Sequence, residues 1–132
     1  SYSGHATGAA AALANIDILE REDLVGNSER MGKYMLHRLT ALKEKSIVGD
    51  VRGLGLMCAL DLVKDKSTKE PLTSIPGVAA KLSKRMLENG LWARVTQFLF
   101  VTPTLTVNRT EVDEIVDIVA DGINYIEKEL GY

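Results

Sequence analysis

Cysteine is nearly absent from the sequence, because Cys58 is the only one among 132 residues. The chain therefore cannot build a disulfide framework. Cys58 lies in an apolar stretch, where a cysteine behaves as a small hydrophobic residue. We expect a buried, inert thiol and a protein of the reducing cytoplasm.

Neither sign of charge dominates the chain. Its 16 lysines and arginines and 18 aspartates and glutamates give a net charge of −2, and the two signs are interspersed. Nucleic-acid binding requires a clustered basic face, so we expect no nucleic-acid partner. No apolar run approaches the length of a membrane span, so we expect no membrane partner either.

Recognisable catalytic patterns are also missing. The chain has no Cys–His pair, no carboxylate dyad and no metal-ligand spacing, so its residues alone predict neither a catalytic set nor a metal site. The glycines of Gly53-Leu54-Gly55 lack the third glycine at a helix start that dinucleotide binding requires. Taken alone, the residues leave the function open.

Hydrophobic residues make up 45% of the sequence, which predicts a folded core, and the length fits a single domain, 1–132. Four stretches have helical periodicity. The first, from Ala6 to about Glu20, is rich in alanine, and its small side chains suit a helix buried between two layers, one of them outside this chain. The second follows Asp23, which we expect to cap it. Its apolar stripe consists of Met31, Met35, Leu39 and Leu42.

The other two predicted helices have clear ends. The third begins at Pro76 or Gly77 and stops at Asn89-Gly90, because a glycine there supplies a left-handed position. The fourth begins with a capping box that starts at Asn108. It ends at Gly131 after the clearest amphipathic pattern in the chain.

A mostly apolar run, Val51–Leu62, predicts the central strand of a sheet. The two glycines within it mark a bulge or a place where another backbone or a ligand comes close. Two shorter strands are predicted at Leu91–Arg94 and Phe98–Val101, and an exposed loop at 64–77. The resulting order is α-α-β-α-β-β-α. It predicts an α+β fold, with helices packed on a small mixed or antiparallel sheet.

Four stretches together resemble one protein family. In chain order they are Ser1–His5 before the alanine-rich helix, Val48–Met57, Asn89–Arg94, and Thr102–Leu105 followed by Glu111–Glu114. In this order and at this spacing, the whole chain is similar to the C-terminal part of class III aminotransferases. These are pyridoxal-phosphate enzymes of the ω-amino acid and 4-aminobutyrate type.

The resemblance implies the fold type I arrangement of these enzymes. A large domain carries the cofactor lysine, a small C-terminal domain helps to close the active site, and the two sites of a homodimer lie at the subunit interface. Residues 1–46 would then be two helices leading in from an absent large domain, and 47–132 the sheet and helices of the small domain. The substrates would be an amino donor and a keto acid. None of the lysines of this chain matches the family's Schiff-base lysine.

Site residues are implied at three positions. Ser1 stands where the family usually has a threonine whose hydroxyl donates to the phosphate of pyridoxal phosphate in the neighbouring subunit. Tyr2 shapes the turn beside that phosphate. Arg94 matches the arginine that pairs with the substrate carboxylate in ω-transaminases. An arginine suits this role because its guanidinium forms two parallel hydrogen bonds with a carboxylate.

Three residues depart from the pattern of the family. Phe100 stands near the position of an arginine in ornithine-type relatives, and this favours a different branch. Thr104 and Ala6 each replace a usual proline.

The alternative function is that of an autonomous α+β module, which would serve in protein interaction or have a structural role. Within enzymes, aminomutases and racemases are alternatives because they share this C-terminal domain.

Overall fold

Helices and strands are mixed along the chain in the order α-α-β-β-β-α-β-α. The computed structural model describes residues 3–132. The elements are α1 Ala6–Arg21, α2 Leu24–Thr40, β1 Val48–Leu54, β2 Met57–Asp65, β3 Glu70–Pro71, α3 Val78–Glu88, β4 Phe98–Val101 and α4 Arg109–Leu130. Helices packed on a small antiparallel sheet confirm the predicted α+β class. No helix in this described part of the chain is long and apolar enough to cross a membrane.

The prediction of a single strand at Val51–Leu62 is wrong, because this stretch folds into an antiparallel hairpin of β1 and β2. The last pair of the hairpin is Leu54 opposite Met57, so its turn consists of Gly55 and the leucine that follows. Gly55 has a left-handed φ of +53°, which glycine adopts readily and which tight hairpin turns require. The turn contains no polar residue, so the apolar run in the sequence gives no sign that the chain reverses here.

β2 is the central strand of the sheet. It pairs antiparallel with β1, with β3 and with β4. The segment 64–77 is more ordered than the predicted exposed loop, because it contains β3 and the buried Leu72. This apolar side chain ties the segment to the core.

One hydrophobic core lies between the sheet and the helices α2, α3 and α4. Alternate residues of β2, namely Cys58, Leu60 and Leu62, point into it. Burial raises the pKa of the Cys58 thiol, as expected of an unreactive core cysteine. The apolar faces of α2, α3 and α4 pack into this core, although the predicted Met31 is only half-buried and the predicted Leu42 lies beyond the end of α2. The fully buried residues of these helices include Met35, Leu39, Leu82, Met86, Val119 and Ile123.

The alanine-rich helix α1 lies against α2 and contributes no buried residue. Leu13 and Ile16 are 64% and 47% exposed. The helix forms because alanine is the strongest helix former, and because the His5 side chain accepts the Gly8 N–H at 3.1 Å. Within residues 3–132, no second layer covers this helix.

The starts of α4 and α2 differ in how they are capped. The side chain of Asn108 accepts the Glu111 N–H at 3.0 Å, and the Glu111 carboxylate accepts the Asn108 N–H at 2.8 Å, which confirms the capping box. Asp23 precedes α2 as predicted, but its predicted capping role is wrong. Its φ is +48°, and its carboxylate pairs with Arg30 at 2.8 Å instead of with the helix N–H groups.

Replacing Asn108 by alanine is expected to lower the free energy of unfolding by about 1 kcal/mol, because it removes the side-chain acceptor of the capping box. Urea denaturation followed by circular dichroism measures this difference. Thr110→Ala is the matched control, since Thr110 is an exposed residue in the same first turn. Equal midpoints for the two variants would show that the capping box does not stabilise α4.

Candidate functional site

An apolar cleft of about 210 Å³ lies beside the segment that joins α3 to β4. This segment, β4, the residues after β4 and α4 form its walls. The lining residues are Leu91, Trp92, Ala93, Arg94, Phe100, Val101, Thr102, Pro103 and Ile115. Among these described residues, Arg94 alone carries an ionisable side chain. The cleft is therefore an apolar site with one cationic group.

The segment between α3 and β4 is anchored at both ends, but it does not form the strand predicted at Leu91–Arg94. At its start, the Leu91 N–H donates to the Met86 carbonyl at 2.9 Å. At its end, the Thr96 N–H donates to the Phe98 carbonyl at 3.0 Å, and the Phe98 N–H donates to the Thr96 hydroxyl at 3.2 Å. These are local turn contacts instead of a strand ladder. They hold the intervening residues beside the cleft.

Arg94 differs from the other six arginines within residues 3–132, because it has no electrostatic partner there. Arg109 lies over the ring of Tyr34, with 4.1 Å between the guanidinium carbon and the ring centroid. Five arginines pair with carboxylates: Arg21 with Glu22, Arg30 with Asp23, Arg38 with Asp113, Arg52 with Asp50, and Arg85 with Asp121. The exposed Arg94 thus has its planar fork of N–H donors available for an external carboxylate.

Two of the other charged clusters connect helices to one another. Arg85 donates to both carboxylate oxygens of Asp121, at 2.7 and 3.1 Å, and these hydrogen bonds hold the pKa of Asp121 below its usual range. Arg38 joins α2 to α4 through Asp113 and Asp117. These pairs have structural roles. No group of three histidine, cysteine, aspartate or glutamate residues in the described chain could hold a metal ion.

Of the three predicted site residues, only Arg94 lies in the part of the chain that the structure describes. Arg94 lies in the cleft, whereas Ser1 and Tyr2 lie outside the described residues. Trp92 and Phe100 also line the cleft, and sequence reasoning did not assign them this role. The position of the chain's single tryptophan two residues before Arg94 was the available signal.

The sequence relates the chain to known enzymes. Residues 1–123 match the sequence model of the family Aminotransferase class-III. The chain is 41% identical to an uncharacterized aminotransferase, y4uB, of Sinorhizobium fredii, and 38% identical to a diaminobutyrate–2-oxoglutarate transaminase of Halomonas elongata. Each comparison covers 98% of this chain, and the chain spans about 29% of the length of each relative.

A solved structure has the same fold. An amine transaminase from an uncultivated Pseudomonas species, in its pyridoxal-phosphate-bound form, matches with a TM-score of 0.89 and 38% identity, over 95% of this chain and 29% of that chain. The chain belongs to the class III aminotransferase family. This confirms the resemblance found in the sequence, and pyridoxal phosphate is the usual cofactor of the full-length members.

Pyridoxal phosphate does not fit into the described residues alone, because its chemistry needs a lysine amine beside the bound ring. The lysines within residues 3–132 are exposed or half-buried at the surface, and none lines the cleft that contains Arg94. No chemical step through the cofactor is therefore assigned to these residues. What they contain is a guanidinium, that of Arg94, in an otherwise apolar cleft.

Proposed function

We propose that this chain is the C-terminal, small-domain part of a longer aminotransferase. The longer enzyme transfers an amino group between an amine or ω-amino acid and a keto acid with pyridoxal phosphate. Membership of the family and the length of the chain relative to its relatives support this proposal. The observation that carries the assigned role is the unpaired guanidinium of Arg94 in an otherwise apolar cleft.

In this proposal, Arg94 binds the carboxylate of the substrate. A guanidinium stays charged at all physiological pH values and forms two parallel hydrogen bonds with a carboxylate. The apolar walls of the cleft offer the guanidinium no competing partner, and closure by the rest of the enzyme would exclude water and strengthen the ion pair. Arg94 therefore orients the substrate, while the lysine that reacts with it comes from another part of the enzyme.

The cofactor contacts of Ser1 and Tyr2 remain part of the proposal. The Ser1 hydroxyl donates to the cofactor phosphate of a second subunit, and Tyr2 shapes the adjoining turn. This arrangement requires a homodimer, and the single buried cysteine suits an enzyme of the cytoplasm. Within the single domain 1–132, residues 1–46 lead in from the large domain, and 47–132 form the small domain.

Two exposed apolar surfaces support the proposal that a large domain packs against this chain. One is the apolar side of α1, described above. The other is the outer face of the sheet, where Leu54 is 88% exposed and Met57 74% exposed.

Covalent labelling of lysine tests this proposal. The 132-residue chain and the full-length protein are each incubated with pyridoxal phosphate and reduced with borohydride, and the modified peptides are mapped by mass spectrometry. We expect stoichiometric labelling of one lysine in the full-length protein, outside residues 1–132, and only scattered, substoichiometric labelling of the chain alone. One stoichiometric label on a lysine within 1–132 would contradict the proposal.

A further inference from the structure

Two large aromatic side chains beside Arg94 are unusually exposed. Trp92 is 79% exposed and Phe100 is 48% exposed, and both line the same cleft as the Arg94 side chain. Aromatic side chains have large apolar surfaces that are normally buried on folding or on binding. Their position around a lone cation indicates a ligand that is apolar at one end and anionic at the other.

The size of the cleft limits the group that this chain alone can enclose. An apolar cavity of about 150 Å³ holds one benzene molecule, and this cleft measures about 210 Å³. It therefore has room for one aromatic ring, or a branched alkyl group of similar size, together with a carboxylate at Arg94. A longer ligand would extend out of the cleft.

The charge of the cleft sets the number of carboxylates. Arg94 is the one cationic side chain among the described lining residues, and no acidic side chain is among them. A dicarboxylate would leave its second charge against apolar walls, which costs free energy unless that charge finds a partner. A monocarboxylate satisfies the single guanidinium and places its apolar group against Trp92 and Phe100.

We infer that Trp92, with Phe100, determines the substrate class by selecting monocarboxylates with an aryl or branched alkyl group over small acids and dicarboxylates. This inference rests on the proposed function, in which Arg94 binds the substrate carboxylate. It adds that Trp92 contacts the apolar part of the same molecule. An aromatic contact of this kind corresponds to about a tenfold change in affinity.

Trp92 is the only tryptophan of the chain, so its fluorescence reports directly on the cleft. The 132-residue chain is titrated at constant ionic strength with 3-phenylpropionate, acetate, glutarate and 3-phenylpropan-1-amine. We expect saturable binding of 3-phenylpropionate, about tenfold tighter than that of acetate or glutarate, and no binding of the amine. Arg94→Gln is expected to abolish the response to 3-phenylpropionate.

Trp92→Leu separates the aromatic contact from the ion pair, with amide chemical shifts replacing fluorescence. We expect it to weaken 3-phenylpropionate about tenfold and to leave acetate unchanged. Equal affinities for all three carboxylates, each dependent on Arg94, would overturn the selectivity and leave the proposed carboxylate site intact. Binding of the amine and the acid alike, unaffected by Arg94→Gln, would overturn both. Circular dichroism of each variant confirms that it folds.

Discussion

Replacing Arg94 by alanine in the full-length enzyme is expected to lower kcat/KM for amino donors and keto acids that carry a carboxylate about 30- to 1000-fold, and to affect amines without a carboxylate far less. The physical reason is the loss of the proposed bidentate ion pair between Arg94 and the substrate carboxylate, which costs about 2–4 kcal/mol. Steady-state kinetics with one carboxylate-bearing and one carboxylate-free amino donor, at a fixed acceptor, measures the difference.

Two further variants make this result specific. Arg94→Lys keeps the charge but not the planar fork, so we expect it to recover only part of the loss. Arg21→Ala removes another surface arginine, whose partner is the neighbouring Glu22, and we expect its kinetics to stay within about twofold of the parent, since exposed ion pairs contribute little. Equal losses for both donors in Arg94→Ala would show that Arg94 has only a structural role.

Replacing Gly32 by alanine is expected to lower the free energy of unfolding by about 3 kcal/mol, although alanine is the better helix former. Gly32 lies in α2 against the hairpin turn, and a Cβ there would lie 2.2 Å from the carbonyl carbon and oxygen of Gly55. The obstructing atoms are backbone, so the helix and the hairpin must separate. Chemical denaturation of the 132-residue chain measures the loss.

Two other helical glycines provide graded controls. A Cβ at Gly122 would lie 2.8 Å from the end of the Leu82 side chain, which can rotate away, so a smaller loss is expected. A Cβ at Gly8 would lie 3.4 Å from His5 on the exposed α1, so no loss is expected. If Gly32→Ala is no less stable than Gly122→Ala, the close packing of α2 on the hairpin is not a source of stability.

The ends of the helices could be predicted from the sequence because their signals are local. The left-handed Gly90 and Gly131 end α3 and α4 as predicted, with φ values of +92° and +79°. The capping box at Asn108 likewise involves residues three apart. The apolar faces of the helices could be predicted because apolar residues at helical spacing share one face, and only that face reaches the core.

The strands were harder to predict because their pairing depends on distant contacts. The turn at Gly55 is stabilised by α2, since the Ser28 hydroxyl accepts the Leu56 N–H at 3.3 Å across 28 residues of sequence. The predicted close approach of another backbone is confirmed at Gly55, where Gly32 comes near. The predicted bulge falls elsewhere, because the irregular pairing lies between Val48 and Asp50.

The candidate site was only partly accessible from the sequence. Arg94 came from the resemblance to the family, and its lack of a partner became visible only when the other arginines were seen to be paired. Trp92 and Phe100 belong to different segments that the fold brings to one cleft. The periodicity of residues within one segment does not predict which residues of another segment it will contact in the fold.

A crystal structure of the full-length enzyme with a bound substrate-like monocarboxylate tests the central claim most directly. We expect two nitrogens of the Arg94 guanidinium to lie about 2.7–2.9 Å from the two carboxylate oxygens, the usual distance of charge-assisted hydrogen bonds. A ligand held by another cation, with Arg94 in solvent or paired to a carboxylate of the protein, would contradict the claim.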